Sequence, residues 1–174
     1  MHKESAQAAF KNLKYPYYLA HCAIAPISDP VRAAMLASME HFWSQGVVGY
    51  SEVADAREST KNALSRLFGG LPSSYAFVPN TSHGINHIAQ ALDWRAQDRI
   101  VLFKDEFPTN IRPWLAAAAR HQLQVEWLDV TPTSEGSPVD LEAFENMLRR
   151  GIRLVAMSAV QFQSGLRMPI EQIQ

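Results

Sequence analysis

Apolar residues recur every three or four positions in the first part of the chain, which is the spacing of one face of a helix. The set that defines the first such helix is Val31, Met35, Met39 and Phe42. Glycines at positions 46 and 49 interrupt the pattern, and a second helix is predicted from about residue 51 to the glycine pair at 69–70. Residues 5–13 are predicted as a short helical arm, and residues 21–30 as a loop that contains two prolines.

The pattern changes after residue 74, where short β-type runs alternate with helical stretches. Strands are predicted at residues 75–78, 99–103, 123–128 and 152–157, and helices at about 81–92, 111–120 and 141–148. Alternation with short links is typical of an open, mostly parallel sheet. The predicted fold class is therefore α/β, with a three-layer sheet that has helices on both faces and follows an N-terminal helical arm. The predicted boundary separates an arm and loop, residues 1–30, from a larger domain, residues 31–174.

Polar segments follow three of the predicted strands, at residues 79–83, 104–110 and 158–165. Ligands of open parallel sheets bind beyond the carboxyl ends of the strands. Because these ends meet at one edge of the sheet, we expect the three segments to form a pocket with amide donors, hydroxyl groups and an aromatic side chain.

The first of these segments has the composition of a helix start. Asn80, Thr81 and Ser82 are capping residues, and apolar residues at helical spacing follow them. The free amides of such a turn and the helix dipole behind them favour a bound phosphate. Most capped helices bind nothing, however, and the glycine patterns of dinucleotide and P-loop sites are absent from this sequence.

Composition narrows the possible functions. The chain has 174 residues, and 16 basic and 17 acidic side chains give a formal net charge of -1. No basic stripe is present, so nucleic acid is not an expected partner, and no apolar run is long enough to suggest a membrane span. A single cysteine, Cys22, is typical of a reducing compartment. Since the amino-terminal residues also lack a secretory apolar region, we expect a cytoplasmic protein.

Four segments resemble the class V aminotransferase family of fold-type-I pyridoxal-phosphate enzymes. They are residues 19–26 (LAHCAIAP), 80–86 (NTSHGIN), 105–114 (DEFPTNIRPW) and 160–165 (VQFQSG). Their order and separation match, and the resemblance covers nearly the whole chain. The family includes cysteine desulfurases, selenocysteine lyases, kynureninases and isopenicillin N epimerases. The resemblance implies that residues 31–174 are an incomplete pyridoxal-phosphate-binding large domain, without the carboxyl-terminal half of the family fold.

The resemblance implies a cofactor, pyridoxal 5'-phosphate, and a role for each matching position. Thr81 and Ser82, with His83 beside them, would hold its phosphate, and Phe107 would stack on its pyridine ring. Cysteine desulfurases usually have a histidine at that place, so the aromatic version is more similar to the kynureninase and epimerase branches. Gln161 would lie near the phenolic oxygen of the cofactor or near the substrate. The implied candidates for the substrate end are His21, Cys22 and Thr109.

The implied function is that of a pyridoxal-phosphate-dependent enzyme that acts on an amino acid as a lyase or desulfurase, a transferase or an epimerase, and whose complete parent is a homodimer. Enzymes of this kind need a lysine that bonds the cofactor and a carboxylate at its pyridine nitrogen. In the family both follow the segment at 160–165, and this chain ends at Gln174. We therefore expect an amino-terminal fragment that contains no catalytic residue and is inactive alone.

Two other interpretations stay open. The chain could be a non-catalytic fragment or interaction module that binds phosphate or no ligand. It could also be a different doubly wound enzyme that binds a nucleotide or a sugar phosphate.

Several reactive side chains have a simpler structural interpretation. Lys104 follows a strand into the rim of the predicted pocket, but a lysine in such a loop is usually solvated. Cys22 is expected to be a small buried apolar group rather than a nucleophile. His83 and His87 are four residues apart, as metal ligands can be, but no third ligand is evident and no metal site is predicted.

Two adjacent acidic residues lie in the second polar segment. Asp105 and Glu106 point apart if the segment is extended, so they are poor candidates for a paired acid and base.

Overall fold

A computed structural model describes residues 8–15, 17–130 and 139–173. The chain divides into two compact units, Met1–Ala76 and Phe77–Gln174. This division falls at a different place from the boundary predicted after residue 30, which concerns the arm of the family fold and stays a prediction. Residues 5–7 of the predicted arm lie outside the described residues. No helix within the described ranges is both long and apolar enough to cross a membrane.

The first unit is helical, as predicted. Helix α1 spans Asp29–Gln45 and helix α2 spans Tyr50–Phe68, with 3-10 turns at Gly46–Gly49 and Pro72–Ser74. Proline in the first turn suits the start of α1, since its missing N–H has no helical acceptor there. Gly46 ends α1 with a positive φ of 55°, a conformation that favours glycine.

The apolar stripe that predicts α1 is not covered in this unit. Its residues Met35, Met39 and Phe42 are 52%, 68% and 42% exposed. The periodicity therefore gives the helix correctly, but the described residues of this unit provide no core for that face.

The second unit contains the sheet, whose elements follow one another closely along the chain. In chain order they are helix α3 (Thr81–Ala91), strand β1 (Arg99–Phe103), a 3-10 turn (Pro108–Asn110), helix α4 (Arg112–His121), strand β2 (Gln124–Leu128), helix α5 (Leu141–Arg149), strand β3 (Leu154–Ala156) and helix α6 (Ile170–Ile173). The strand predicted at residues 75–78 is wrong: these residues are irregular. A strand needs a ladder of backbone hydrogen bonds to a neighbouring strand, and the sheet of the described residues consists of three other segments.

Three strands form a parallel sheet in the order β2-β1-β3. Phe103 is paired with Leu128, and Leu102 with Ala156, so the three strands end near one another. The chain leaves this edge at residues 104–110, 129–130 and 157–165. The second and third predicted polar segments therefore lie at the same edge of the sheet, as expected for parallel strands.

The central strand divides the core into two layers. Ile100 and Leu102 pack on one face with Trp114 of α4, and Val101 and Phe103 pack on the other. On that second face they contact a cluster that includes Phe144 of α5 and Met168. Because alternate residues of a strand point to opposite faces, one run of apolar residues serves both layers. This confirms the predicted three-layer α/β arrangement with helices on both faces.

We expect Leu102→Ala to lower the free energy of unfolding by about 2–5 kcal/mol, since the side chain is fully buried at the centre of the sheet and its loss leaves a cavity. Urea denaturation followed by circular dichroism measures the change. Leu148→Ala is the control: this leucine of α5 is 41% exposed, and its truncation should cost less than about 1 kcal/mol. Equal effects for the two variants would contradict a core centred on β1.

Candidate functional site

The start of α3 presents two backbone donors that are not used by the described residues. Asn80 is extended (φ -164°, ψ 170°), and its Oδ1 accepts the amide of His83 at 2.9 Å. The carbonyl of Asn80 accepts the amide of Gly84 at 3.2 Å. Within the described part of the chain the amides of Thr81 and Ser82 have no acceptor. Such a helix end is suited to an anion, since both the donors and the dipole point outward.

A hydroxyl pair joins this helix start to the loop that follows β1. Ser82 Oγ lies 2.8 Å from Thr109 Oγ1, and both residues are partly buried. On the other side of the same loop, Asn110 Oδ1 accepts Trp114 Nε1 at 3.3 Å. The 3-10 turn Pro108–Asn110 is therefore bonded to both α3 and α4.

Between these segments lies an open cavity of about 330 Å³. Its lining comes from the start of α3, the loop after β1 and the loop after β3: Thr81, Ile85, Phe107, Thr109, Asn110, Met157 and Ser158. The volume is in the range of small-molecule sites. Polar and apolar lining residues are mixed, so the cavity can take a small ligand that has both polar and apolar parts.

Phe107 is the aromatic side chain of this cavity. It is 50% exposed, and its ring meets the ring of Phe162 edge-on, with centroids 5.1 Å apart and an interplanar angle of 85°. Phe162 belongs to the third polar segment, so the ring contact links the loops after β1 and β3. An edge-on neighbour leaves one face of Phe107 available for another flat ring.

Two other predicted cofactor positions, Gln161 and His83, are close in sequence to residues that line the cavity but are not part of its lining. Gln161 is buried, and its Nε2 donates to the carbonyl of Lys104 at 3.4 Å. His83 is exposed, and its ring centroid lies 4.1 Å from that of His87. The roles assigned to Gln161 and His83 by resemblance stay predictions.

His21 and Cys22 belong to the first unit, where both are exposed. The expected burial of Cys22 is wrong, because residues 20–24 form a tight surface turn in which the amides of Ala23 and Ile24 both bond to the carbonyl of Ala20. The sequence gives no apolar periodicity there that could have placed the thiol inside. The roles of His21 and Cys22 at the substrate end stay predictions.

Two further reactive groups have ordinary surroundings. Lys104 Nζ lies 2.7 Å from Asp129 Oδ1, and both side chains are more than half exposed. Across the ranges that the structure describes, no group of three or more His, Cys, Asp or Glu side chains could hold a metal ion. His83 and His87 therefore have no third ligand beside them among these residues.

Glu106 is the residue that sequence reasoning missed. It is 7% exposed, and its carboxylate accepts two hydrogen bonds from one residue: Ser158 N at 2.6 Å and Ser158 Oγ at 2.7 Å. Asp105 precedes it with a positive φ of 61° and is exposed, so the two adjacent carboxylates do diverge. No local sequence pattern signals this contact, because its two residues are 52 positions apart in the chain.

The chain belongs to the family described as Aminotransferase class-V, whose sequence model matches residues 17–174. This family membership and the α/β fold confirm the resemblance found in the four segments. Pyridoxal phosphate is the cofactor of the family, which confirms that prediction at the level of the family.

The curated relatives are longer proteins. A probable cysteine desulfurase of Methanothermobacter thermautotrophicus is 26% identical over 179 residues, which cover 99% of this chain and 43% of the relative. A probable cysteine desulfurase of Vibrio cholerae is 27% identical over 148 residues, which cover 78% of this chain and 36% of the relative. This chain thus spans about two fifths of the length of the relatives that it matches.

Solved structures show the same fold. The cystine C-S lyase C-DES in complex with cysteine persulfide superposes with a TM-score of 0.73 at 24% identity, over 82% of this chain and 38% of that one. A C-DES mutant with glycine covalently linked to its pyridoxal-phosphate cofactor gives a TM-score of 0.74 at 23% identity, over 82% and 37% of the two chains. The apo cysteine desulfurase of Thermococcus onnurineus gives 0.64 at 24% identity, over 79% and 36%.

We expect the hydroxyl pair of Ser82 and Thr109 to couple α3 to the loop after β1 by about 0.5–1.5 kcal/mol, the net worth of a neutral hydrogen bond. A double-mutant cycle with Ser82→Ala and Thr109→Val, followed by urea denaturation, measures this energy. As a control, Ser82→Ala combined with Thr60→Val should be additive, because Thr60 Oγ1 bonds to Ala56 O within α2. Additivity of the first pair would show that the contact does not stabilise the loop.

Proposed function

We propose that this chain forms the amino-terminal part of a pyridoxal-phosphate site in an enzyme that acts on an amino acid. The observation that carries the proposal is the shared cavity, which is lined by Thr81 at one point and Phe107 at another. Thr81 supplies an amide donor for an anion, and Phe107 supplies a flat aromatic face. A phosphate and an aromatic ring in the same ligand match these two features.

The residues present fit the cofactor on geometric grounds. Two amides without acceptors among the described residues, at Thr81 and Ser82, can donate to phosphate oxygens. Because Asn80 already satisfies the amide of His83, these two donors stay fixed in direction rather than competing for the cap. Ser82 Oγ is held by Thr109, which keeps the turn in place without a ligand.

The aromatic end of the cavity would orient the ring and exclude water. Phe107 offers a ring face for this purpose, since the contact between Phe107 and Phe162 is edge-on and does not cover both faces. Ile85 and Met157 add apolar walls. When bound, the cofactor supplies an electron sink that stabilises negative charge at the alpha carbon of an amino acid. The role of this chain would be to hold the cofactor ring in a fixed orientation relative to the amino acid.

The finer assignments rest on the family. Relatives described as probable cysteine desulfurases, and the cystine C-S lyase, support an amino-acid substrate for the whole protein. Cleavage, transfer and epimerisation all stay open as its reaction. We also propose a homodimer for the whole protein and a cytoplasmic location. We predict that neither the lysine that bonds the cofactor nor the carboxylate at its pyridine nitrogen is among these 174 residues.

Thr81→Pro tests the phosphate end by removing one amide. Proline is well tolerated at the first helical position, and the extended backbone of Asn80 suits the residue before a proline. We expect the helix to remain and the affinity for inorganic phosphate and for pyridoxal phosphate to fall about 10-fold or more, as for the loss of a charge-assisted hydrogen bond. Isothermal titration of the 174-residue chain measures both affinities.

Thr81→Ala is the matched variant, because it keeps the amide and removes only the hydroxyl. We expect it to lose less affinity than the proline variant. If Thr81→Pro binds both ligands as tightly as the wild type does, the phosphate does not lie at the start of α3. If the wild type binds neither ligand, the alternative of a fragment without a ligand is favoured.

Phe107→Ala tests the ring end. We expect the affinity for pyridoxal phosphate to fall about 3- to 10-fold, the typical worth of an aromatic contact, while the affinity for inorganic phosphate stays unchanged. Phe68→Ala is the control, since Phe68 is a 72% exposed phenylalanine at the end of α2 in the other unit. A Phe107 variant with unchanged affinity for pyridoxal phosphate would contradict a stacked ring.

A further inference from the structure

A buried carboxylate is one of the contacts that join the loops after β1 and β3. We propose that Glu106 is a positioning residue: by holding Ser158, it fixes one loop on the other and so sets where the ring of Phe107 stands over the cavity. The ligand part of this inference rests on the proposed function. Its structural part, the coupling of the two loops, does not.

The hydrogen bonds of Glu106 are well suited to such a role. Both carboxylate oxygens are used, one by the amide of Ser158 at 2.6 Å and the other by its hydroxyl at 2.7 Å. Two bonds to one residue restrict rotation as well as distance, and bonds to a carboxylate are stronger than bonds between neutral groups. Ser158 comes two residues after β3 and lines the cavity, while Glu106 directly precedes Phe107.

The burial of Glu106 makes this contact costly to lose. The side chain is 7% exposed and, within the part of the chain that the structure describes, it forms no ion pair. A buried carboxylate without a cation depends on its hydrogen-bond donors for stability. Ser158 supplies both of the donors that Glu106 has among the described residues.

The residue before Glu106 has an uncommon backbone conformation. Asp105 has a φ of 61°, in the left-handed region that residues other than glycine seldom adopt. Such conformations persist where surrounding contacts hold them. Gln161 adds a second link between the two loops, since its Nε2 donates to Lys104 O at 3.4 Å. Asp105 therefore lies between two residues that are each bonded to the segment after β3.

Glu106 does not line the cavity and does not bond to the start of α3. Its effect should therefore reach the ring end of a ligand directly through Phe107, and the phosphate end at Thr81 only weakly, through the hydroxyl pair of Ser82 and Thr109. This separates positioning from general support of the fold, which would weaken both ends alike.

Amide hydrogen exchange on the unliganded chain tests the coupling directly. In Glu106→Gln, which keeps the size of the side chain but can hold Ser158 only through weaker, uncharged hydrogen bonds, we expect exchange at Ser158, Gln161 and Asn110 to quicken about 10-fold. Exchange within α3 and β1 should stay as in the wild type. Glu142→Gln, at an exposed glutamate in the first turn of α5, is the matched control and should change none of these amides.

Ser158→Ala is the complementary variant, which removes only the hydroxyl donor and keeps the amide. It should also quicken exchange at the same amides, because it leaves one carboxylate oxygen without its donor, and it keeps the test decisive if Glu106→Gln fails to fold. Unchanged exchange in both loops would overturn the proposal. An equal increase in α3 and β1 would also overturn it, because that is the effect of global destabilisation.

Titration with pyridoxal phosphate and with inorganic phosphate tests the effect on the ligand. We expect Glu106→Gln to lower the affinity for pyridoxal phosphate about 10-fold and to change that for inorganic phosphate less than about 2-fold. Equal losses for the two ligands would overturn the positioning role. If the wild type binds neither ligand, the proposed function fails, and the exchange experiment still decides whether Glu106 couples the loops.

Discussion

Parallel pairing of β1 with its two neighbours is the constraint on which the rest of the second unit depends. Because Phe103 pairs with Leu128 and Leu102 with Ala156, the three strands end at one edge, and residues far apart in sequence become neighbours there. Parallel strands need crossovers, which place helices on both faces and bury the central strand completely. The zero exposure of residues 100–103 is the result. Every contact of the cavity is made by chain that leaves this edge or by the helix that abuts it.

Local patterns were sufficient for most elements, because helix periodicity, caps and apolar runs are written in consecutive residues. The bounds of β1 and the capping of α3 by Asn80 illustrate this. The failures all concern what a segment meets in space. Residues 75–78 have the composition of a strand but do not belong to the three-stranded sheet of the described residues. The stripe of α1 has the period of a buried face but stays exposed within its unit. Cys22 has an apolar side chain but lies on a surface turn.

The residues of the candidate site also differ in whether local sequence could predict them. Thr109 was implied by the family resemblance, whereas Thr81 could be named from the helix-start pattern, and Phe107 from its place after a strand, where parallel sheets collect their ligands. Glu106 could not, since its significance depends on Ser158, 52 residues further along the chain. A carboxylate next to an aromatic residue in the sequence does not by itself indicate a role. The role of Glu106 can be seen only in the fold, where the sheet brings its two donors within hydrogen-bond distance.

The described residues that line the cavity carry no formal charge. Any anion held there is stabilised by peptide dipoles at the start of α3 rather than by lysine or arginine side chains. The dipole of a helix end acts only within about its first turn, whereas a cluster of cations attracts an anion from a distance set by the Debye length, about 8–10 Å under ordinary conditions. The donors of this cavity therefore act on an oxyanion only at close range. Because the amide donors of this cavity point in fixed directions, the cavity selects an anion by its shape more than by its total charge.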